Sequence, residues 1–457
     1  MTPKLSRRSW IRNSALLGAG SAALGGATLP RAQAAAPAVV GSPDLTVKKI
    51  EQIFVDVPFK PVPKRHQYRE FAHEERRFNT IVKVELGNGV VGVGEGGARG
   101  NAIKRVTGAN AADHMWDDSL GSGLQVALFD AVARTNDVPV HRLLGNQVRD
   151  RAFLSWWAVD MPAADWALEC KEAVSKGYTS FKGKARPWFD LIVQCKELSK
   201  SLPAHFKIDF DFNSTLLDSG HAAPYLAELE QFHNIAIFET PIPQEDVEGN
   251  KLLRRHSNIP IAQHYGSPPI MTALREEVCD GFVIGGGAQR VIESGTIAAI
   301  ANKSFWLQLT GNGLTTVWAI HLAAVLTHAR WPAINLNHMF VSDLVKPAIV
   351  VENGSAQVPD SPGLGYVLDE DAIEKYRIAE IPKRPQPNKL YAIRWPSGAT
   401  SYYRNADEFR SDFTDGKLSP YPRGVYMEEV LDNGSKEWKD LNARAQNGGV
   451  HVGTRPL

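Results

Sequence analysis

The chain has 457 residues, of which 43% are hydrophobic and 22% are charged. This length and composition predict a soluble globular protein of two or three domains with a large buried core. The 51 basic and 50 acidic residues leave a net charge of +1, which gives no sign of the concentrated basic surface of a nucleic-acid binder. We therefore expect a small-molecule partner and no nucleic acid.

The first 35 residues predict an export signal. Arg7 and Arg8 precede a run of small apolar residues over 15–29, and Ala32-Gln33-Ala34 offers a cleavage site. The arginine pair resembles a twin-arginine signal, and an ordinary secretory signal is the alternative. Because the run is short and rich in Gly and Ala, we expect no membrane span. The mature protein is then periplasmic or extracellular.

Three cysteines occur in the chain, at Cys170, Cys195 and Cys279. An odd and sparse count argues against a disulfide framework, even in an oxidising compartment. A protein exported after folding could also take up a metal ion before export.

Residues 46–145 predict a mixed α+β segment. Apolar and polar residues alternate over 80–86 as in a half-buried strand, and Asn88-Gly89 predicts a hairpin turn into a second strand. Helical periodicity follows over 124–134. The polar stretch over 60–77 has few core residues, so we predict a long loop there that could act as a lid.

Short apolar runs alternate with amphipathic helices between residues 151 and 333, and this pattern indicates parallel βα units. A doubly wound sheet is the alternative, but the Gly-rich turn it requires after its first strand is absent. We read Gly285-Gly286-Gly287 as a turn. The runs cover residues 179–181, 206–210, 235–238, 259–262, 281–284 and 305–309.

We therefore predict a (β/α)-barrel, a modified TIM barrel, over residues 146–345. Residues 346–380 return to the first segment, with a helix predicted over 370–376. Prolines 382, 385 and 387 lead into a small C-terminal extension, residues 381–457, that we expect to be rich in β-structure.

Polar side chains follow the predicted barrel strands where each strand ends. Lys182 and Lys184 follow the run over 179–181, and Asp211 and Asn213 follow the run over 206–210. Glu239 follows the run over 235–238, and Gln263, His264 and Tyr265 follow the run over 259–262. Because catalytic groups of parallel barrels lie at the carboxyl ends of strands, we expect these side chains to meet on one rim.

Such a rim suits proton abstraction beside a carboxylate. Two carboxylates and a third ligand can hold a hard divalent cation, which stabilises the dianion that forms. A lysine near a cation and a second lysine has a lowered pKa and can act as a base. Taken singly, each residue has an ordinary reading: an Asp or Glu after a strand often caps a helix, and a Lys is often a solvated charge.

The order K-x-K, D-x-N and then Glu in F-E-T-P resembles the enolase superfamily, in its muconate-lactonizing and mandelate-racemase-like branches. Residues 124–145 are similar to the helix that joins the capping domain of that family to its barrel. Residues 362–365 resemble the return to the cap, and 311–324 look like the penultimate strand-to-helix region. The resemblance covers roughly residues 46–378.

This resemblance implies an α+β capping domain, with Asp211 and Glu239 as Mg ligands. It implies Lys184 as the base and Lys182 as its electrostatic partner. It also implies that residues 60–77 and 96–105 close over the substrate. The side chains expected to meet an acidic or polyhydroxy substrate there are Asn213, Arg65, Arg69 and Arg99; for each arginine a solvated loop position is the alternative.

The chain departs from the family pattern at two places. His264 stands where the third acidic ligand is usual, and imidazole suits Mn, Fe or Zn better than Mg. His264 is either a ligand or a hydrogen-bonding rim residue. The runs over 281–284 and 305–309 end without Lys or His, so the second base that a racemase needs is missing.

We therefore expect a one-base reaction, a lyase that dehydrates a sugar acid or related hydroxy acid. Lys182 or Tyr265 would give acid assistance. A racemase, epimerase or cycloisomerase of the same superfamily is the second reading, and an exported binding protein that lost catalysis is the third. We also expect a homo-oligomer.

Overall fold

The computed structural model describes residues 43–66, 78–382, 388–419 and 421–453. The predicted export signal and Arg69 lie outside these ranges. Within them, no helix combines the length and the apolar character needed to cross a membrane.

The N-terminal segment builds a sheet with helices on it, which we call the cap. Strands β1, β2 and β3 form an antiparallel sheet, and the β2–β3 hairpin turns where Asn88-Gly89 predicted it. The elements are β1 (Val47–Asp56), α1 (Pro61–His66), β2 (Phe78–Leu86), β3 (Val91–Glu95), α2 (Ala102–Val106), α3 (Ala111–His114), α4 (Ser122–Thr135) and α5 (His141–Leu144).

Two glycines let α4 lie directly on β3. A Cβ at Gly92 would lie 2.2 Å from the carbonyl oxygen of Ala127, and one at Gly94 would lie 2.1 Å from that of Gly123. No side chain fits in these gaps, so the alternation of Gly and Val in β3 sets the distance between the sheet and the helix.

The central part of the chain forms a barrel of eight strands. Seven of them are each followed by a helix. The elements are β4 (Arg151–Ala158), α6 (Ala163–Ser175), β5 (Ser180–Lys184), α7 (Leu191–Leu198), β6 (Lys207–Asp211), α8 (Ser219–Leu229), β7 (Ile235–Glu239), α9 (Val247–His256), β8 (Ile261–His264), α10 (Ile270–Glu276), β9 (Gly281–Ile284), α11 (Ala288–Ile300), β10 (Ser304–Leu307), α12 (Gly313–Val325) and β11 (Ala333–Ile334).

The strands follow one another in sequence order around the barrel, and their pairings are parallel. β11 pairs with β4, and a parallel bridge between Gln308 and Ile334 closes the ring on the other side. The fold is therefore a modified TIM barrel with a cap, as the sequence predicts.

Aromatic residues on the outer faces of the strands pack under the helices. The rings of Phe181 on β5 and Phe210 on β6 both contact Trp166 on α6, at centroid distances of 5.9 and 5.7 Å. Because side chains alternate along a strand, the neighbours Lys182 and Asp209 point into the barrel. The short strands are thus apolar outside and polar inside near the site.

After the barrel the chain returns to the cap. Strand β13 adds to β4 in antiparallel fashion, and β15 pairs with β1 through Phe54–Ile378 and Val55–Arg377. The helix predicted over 370–376 is present with those bounds. The elements are β12 (Val345–Lys346), β13 (Ser355–Gln357), β14 (Val367–Leu368), α13 (Glu370–Tyr376) and β15 (Arg377–Ile378).

The last described part, which we call the C-terminal module (residues 388–453), has its own four-stranded sheet with two helices. The strand order is β18-β16-β17-β19, and all pairings are antiparallel. The elements are β16 (Lys389–Arg394), β17 (Thr400–Tyr403), α14 (Ala406–Thr414), β18 (Tyr426–Leu431), α15 (Lys436–Arg444) and β19 (Val450–Val452).

Two predicted loops contain helix. The predicted loop over 60–77 begins with α1, because Pro61 suits a first helical position and Lys60 forms an ion pair of 2.8 Å with Glu172 on α6. Residues 102–105 of the predicted turn over 96–105 belong to α2.

Candidate active site

The register of the barrel strands brings the predicted site residues together. Lys184 on β5 pairs with Asp211 on β6, and Asp211 pairs with Glu239 on β7. Paired residues of parallel strands point to the same side, so the three side chains enter the barrel at one level. His264 lies two residues beyond Ala262, the partner of Glu239, and points the same way.

A buried lysine lies between the two carboxylates. The Lys182 Nζ is in ion contact with Oε2 of Glu239 and lies 3.5 Å from Oδ2 of Asp211, and all three side chains have no solvent exposure. Its remaining neighbours complete the surroundings of the ammonium group. Lys182 donates to Oε1 of Gln308 at 2.5 Å and lies 5.1 Å from the centroid of the Trp306 ring.

Lys184 is held from two sides at the edge of this cluster. Its Nζ donates to Oδ2 of Asp211 at 2.5 Å and to Oδ1 of Asn213 at 2.9 Å, and 13% of its side chain is exposed. Arg186 donates to the same Asn213 oxygen at 2.6 Å. The predicted substrate residue Asn213 is therefore engaged by the two cations next to it.

The charges of the cluster shift two pKa values. Burial lowers the pKa of Lys184; Asp211 opposes the shift, and Lys182 and Arg186 add to it. Burial alone would raise the pKa of Asp211, but the cations Lys184, Lys182 and Arg186 outweigh it and lower that pKa below its usual range. Asp211 is thus a permanent carboxylate beside a lysine whose neutral form is more accessible than usual.

Asp209 is a second aspartate in the barrel that we did not predict. Burial raises its pKa to about 7; nearby Lys182 opposes the shift, and Glu239 adds to it. Asp209 and Asp211 point to the same face because they are two residues apart on β6, and this alternation was visible in the sequence Asp-Phe-Asp.

His264 reaches the cluster through Glu239. Its Nε2 lies 3.1 Å from Oε1 of Glu239, and 41% of its side chain is exposed. Neither oxygen of Glu239 accepts a hydrogen bond of normal geometry. Oε1 of Glu239 therefore faces His264 at the mouth of the barrel, while Oε2 contacts Lys182.

A cavity of about 430 Å³ lies where the cap meets this mouth. Arg99 and Glu95 of the cap line it, and Gln308 connects it to Lys182. Arg290 on α11 also faces it, a residue that the sequence did not single out. The predicted substrate residue Arg99 is thus on a wall next to the ion cluster.

A second cavity of about 290 Å³ continues from the first on the side of His264. Gln308 and Arg290 line both cavities, and Tyr265 lines the second. Two arginines, Arg99 and Arg290, and two carboxylates, Glu95 and Asp118, therefore line a space of small-molecule size, and the arginines offer charge-assisted hydrogen bonds to an anionic group.

Glu95 fixes one side of this space. It accepts a hydrogen bond from the backbone amide of Thr315 at 2.9 Å and contacts the amide of Asn312, both at the start of α12. Burial raises its pKa, and these amide contacts partly offset the shift. The cap is therefore fastened to the helix that follows β10.

Two predicted residues lie apart from the cluster. The ring of Tyr265 packs against Phe282 at a centroid distance of 5.5 Å, and Tyr265 lines the second cavity together with Ser294 on α11. Arg65 forms an ion pair of 2.6 Å with Asp165 on the outer helix α6. The structure thus brings together Lys182, Lys184, Asp211, Glu239 and His264, while Tyr265 reaches the second cavity alone.

The donors at the mouth can be compared with the needs of a divalent cation. Among the described residues, no three or more His, Cys, Asp and Glu side chains are arranged around one point so that they could hold a metal ion. The carboxylates of Asp211 and Glu239 and the imidazole of His264 are nevertheless donor types that a divalent cation takes, and in this structure Lys182 contacts both carboxylates. Two oxygens with one imidazole suit Mn, Fe or Zn better than Mg.

Comparison with known proteins agrees with this architecture. Residues 165–372 match the family described as Enolase C-terminal domain-like. The match begins in α6 and ends in α13, so it includes Lys182, Lys184, Asp211, Glu239 and His264.

Curated relatives are named as dehydratases and cycloisomerases. The arabinonate dehydratase of Saccharolobus solfataricus is 25% identical over 269 residues, 56% of this chain and 71% of that protein. The muconate cycloisomerase 1-2 of Acinetobacter lwoffii is 23% identical over 376 residues, 72% of this chain and 95% of that protein. The D-gluconate dehydratase of Thermoproteus tenax is 24% identical over 310 residues, 60% of each chain.

Solved structures share the fold. The muconate lactonizing enzyme of Pseudomonas fluorescens, complexed with muconolactone, superposes with a TM-score of 0.61 at 21% identity over 73% of this chain and 100% of that one. The enolase of Mycobacterium smegmatis complexed with tartrate gives a TM-score of 0.60 at 17% identity over 72% of this chain and 91% of that one.

These relatives support an enzyme of the lyase or isomerase type. The family match, the relatives and the capped barrel together support the enolase superfamily for this chain.

Proposed function

We propose that this protein removes the proton next to a substrate carboxylate and that Lys184 is the base. The observation that carries the proposal is the position of Lys184, partly exposed at the mouth of the barrel and in contact with Asp211. A base has to be within reach of the substrate and has to reach its neutral form, and the burial that lowers the pKa of Lys184 favours that neutral form.

The substrate that this site suits is a small hydroxy acid, and we propose the dehydration of a sugar acid. Arg99 and Arg290 face the cavity and would bind its carboxylate and hydroxyl groups. The names of the arabinonate and D-gluconate dehydratases support this substrate class.

The two lysines at the mouth have separate tasks in this proposal. The neutral amine of Lys184 takes the α-proton, and the adjacent carboxylate of Asp211 stabilises the ammonium ion that results. Lys182 is fully buried against Glu239, so it supplies fixed positive charge near the developing enolate.

We propose that Asp211, Glu239 and His264 hold a divalent cation. Such a cation would supply electrostatic stabilisation of the charge that develops on the substrate carboxylate. The chain provides two buried carboxylates for it and an imidazole in place of a third.

A one-base reaction is favoured over a racemisation. Gly285 follows β9 and Gln308 follows β10, on the side of the ring away from β5. Neither residue has a side chain that can act as a base at neutral pH. A cycloisomerisation also needs a single proton-transfer group, so it is the second candidate. The extent of the match to the muconate cycloisomerase of Acinetobacter lwoffii favours it.

The test is incubation with a panel of sugar acids, hydroxy acids and muconates in deuterium oxide. A dehydratase forms a keto acid, a cycloisomerase forms a lactone, and an epimerase incorporates deuterium at the α-carbon with inversion. We expect keto acid formation, and a loss of at least about 100-fold in rate for Lys184→Ala.

Lys200→Ala is the matched control, because that lysine is 69% exposed on the surface. Full turnover by Lys184→Ala would exclude Lys184 as the base. Binding of an acid without any product or exchange would favour the third reading, an exported binding protein.

We also propose export by the twin-arginine route and a homo-oligomeric state. The arginine pair and the apolar run before residue 35 support the first. Fractionation of cells that carry Arg7→Lys/Arg8→Lys tests export: retention of the precursor in the cytoplasm is expected, while unchanged export would point to an ordinary secretory signal. Size-exclusion chromatography with light scattering tests the oligomer.

A further inference from the structure

The C-terminal module contacts the loop that follows β6, which we call the β6 loop (residues 212–217). Arg410 on α14 donates from Nη2 to the backbone oxygen of Asn213 at 2.9 Å. The hydroxyl of Tyr421 lies 2.6 Å from Oγ1 of Thr215. Two side chains of the module therefore hold consecutive parts of one barrel loop.

The β6 loop has a backbone that needs such support. Asn213, Ser214 and Leu217 all have positive φ, at 45°, 67° and 67°. The left-handed conformation is unfavourable for Ser214 and Leu217 and is tolerated better by asparagine, so a loop with three such residues persists where the surroundings impose it. The Arg410 bond is made directly to the first of these residues.

The same residue carries a side chain of the candidate active site. Oδ1 of Asn213 accepts from Nζ of Lys184 at 2.9 Å and from Arg186 at 2.6 Å, and its backbone amide donates to Asp211 at 3.0 Å. A rotation of the Asn213 peptide would move the oxygen that holds the amine of Lys184. Asn213 therefore connects Arg410 to the proposed base, Lys184.

The module also rests on the loop after β5. The rings of Trp188 and Phe409 lie 5.4 Å apart within a shared buried cluster. Asp190 caps α7 through the amide of Ile192 at 3.0 Å and accepts from the amide of Gly424 in the module at 2.8 Å. The module thus packs against both barrel loops that flank Lys184.

We propose that the C-terminal module is a working part of the active site and that Arg410 is a positioning residue for the base. It fixes the backbone of Asn213, and Asn213 in turn orients the amine of Lys184. The inference rests on the proposed function for the identity of the base. It goes beyond that function because it assigns a role to a module outside the family match, which ends at residue 372.

The experiment compares Arg410→Met, which keeps an unbranched apolar side chain and removes the donors, with Arg444→Met on the exposed side of α15. Hydrogen exchange of the full-length protein is measured first, at the amides of Ser214, Thr215 and Leu216, which donate to Thr240, Phe212 and Pro241. We expect faster exchange there in Arg410→Met and wild-type exchange in Arg444→Met. Wild-type exchange in both would overturn the proposal.

Turnover of the sugar acid that the wild type converts is the second readout. We expect Arg410→Met to lower kcat at least about tenfold with KM changed less than threefold, because a misplaced base slows the proton transfer without weakening substrate binding. We expect Arg410→Lys to recover part of kcat. An unchanged kcat, or a change in KM alone, would overturn the positioning role.

The two proposals fail in different ways. If the wild type converts no acid, the proposed function fails, and the exchange of the β6 loop alone decides whether Arg410 holds Asn213. If Arg410→Met does not fold, Tyr421→Phe removes the second contact with smaller disturbance. We then expect faster exchange at Thr215, and wild-type exchange there would count against the proposal.

Discussion

The ammonium of Lys182 and the carboxylate of Glu239 are in ion contact at the centre of the barrel, and neither side chain has any solvent exposure. Two opposite charges in such a place are tolerated because each compensates the other, while either one alone is costly. Asp211 shares the same ammonium at 3.5 Å. The pair therefore links the stability of the barrel to the charge distribution of the candidate site.

Lys182→Met should lower the free energy of unfolding by about 3–5 kcal/mol, because it leaves the buried carboxylate of Glu239 without its lysine partner, while Asp211 keeps Lys184. Urea denaturation followed by circular dichroism measures the effect. The double variant Lys182→Met/Glu239→Gln should recover part of the loss, since it removes the unpaired charge of Glu239. A single variant as stable as Lys200→Met would show that the pair is not compensating.

His264 should determine which metal ion the site prefers. We expect calorimetric titration of metal-free protein to give tighter binding of Mn²⁺ than of Mg²⁺, and His264→Asp to shift the preference towards Mg²⁺ because a carboxylate oxygen replaces a nitrogen donor. His256→Asp, an exposed position at the end of α9, is the control. Unchanged metal preference in His264→Asp would remove His264 from the donor set.

Arg290 should contribute to substrate binding, because it lines both cavities beside Lys182. We expect Arg290→Ala to raise KM for an acidic substrate about tenfold or more through the loss of a charge-assisted hydrogen bond. Arg275→Ala, at a side chain that is 74% exposed, should leave KM unchanged. Equal KM values for both variants would place the substrate elsewhere.

The buried His321 should make the protein less stable in acid. It is neutral in the fold, where Nδ1 accepts from the amide of His141 at 3.3 Å and Nε2 donates to the carbonyl of Leu364 at 3.1 Å. Burial lowers its pKa to about 3, so below about pH 6.5 the unfolded chain binds a proton that the native chain does not. Stability is therefore lost as the pH falls, by up to about 1.4 kcal/mol per pH unit.

The measurement is the free energy of unfolding at several pH values between 4.5 and 7, a range chosen from these pKa values. His321→Leu should reduce the slope of the unfolding free energy against pH by an amount that corresponds to up to about one bound proton, whatever its effect on the absolute stability. His338, whose pKa burial also lowers to about 3, keeps its own contribution. A slope equal to that of the exposed-site variant His233→Leu would contradict the assignment.

Much of the barrel was predictable because it repeats. The apolar runs predicted strands β5 to β10 to within a few residues. The polar residues at the ends of β5 to β8, namely Lys184, Asp211, Glu239 and His264, lie together at the mouth. Strand register then brings Lys184, Asp211 and Glu239 to one level, which the alternation of side chains already implied. Local patterns suffice where every unit has the same geometry.

Other parts of the site depend on contacts that no local pattern encodes. Arg290 lies on a helix and Gln308 at the end of a strand, and their common position beside Lys182 follows from closure of the ring. The sequence predicts that Arg65 binds substrate, but in the structure its side chain on α1 forms an ion pair with Asp165. The contact of Arg410 with Asn213 joins positions far apart in sequence, so the local sequence around either residue does not predict it.

The pairing of β1 with β15 has a consequence for shortened forms of the chain. Strand β1 of the cap sheet pairs on its outer side with β15, residues 377 and 378, which follow the whole barrel in the sequence. A chain that stops before Arg377 keeps an open edge beside Phe54 and Val55, and open strand edges recruit strands from other molecules. Truncation at the barrel's end would thus produce a self-associating product, although every barrel strand is present.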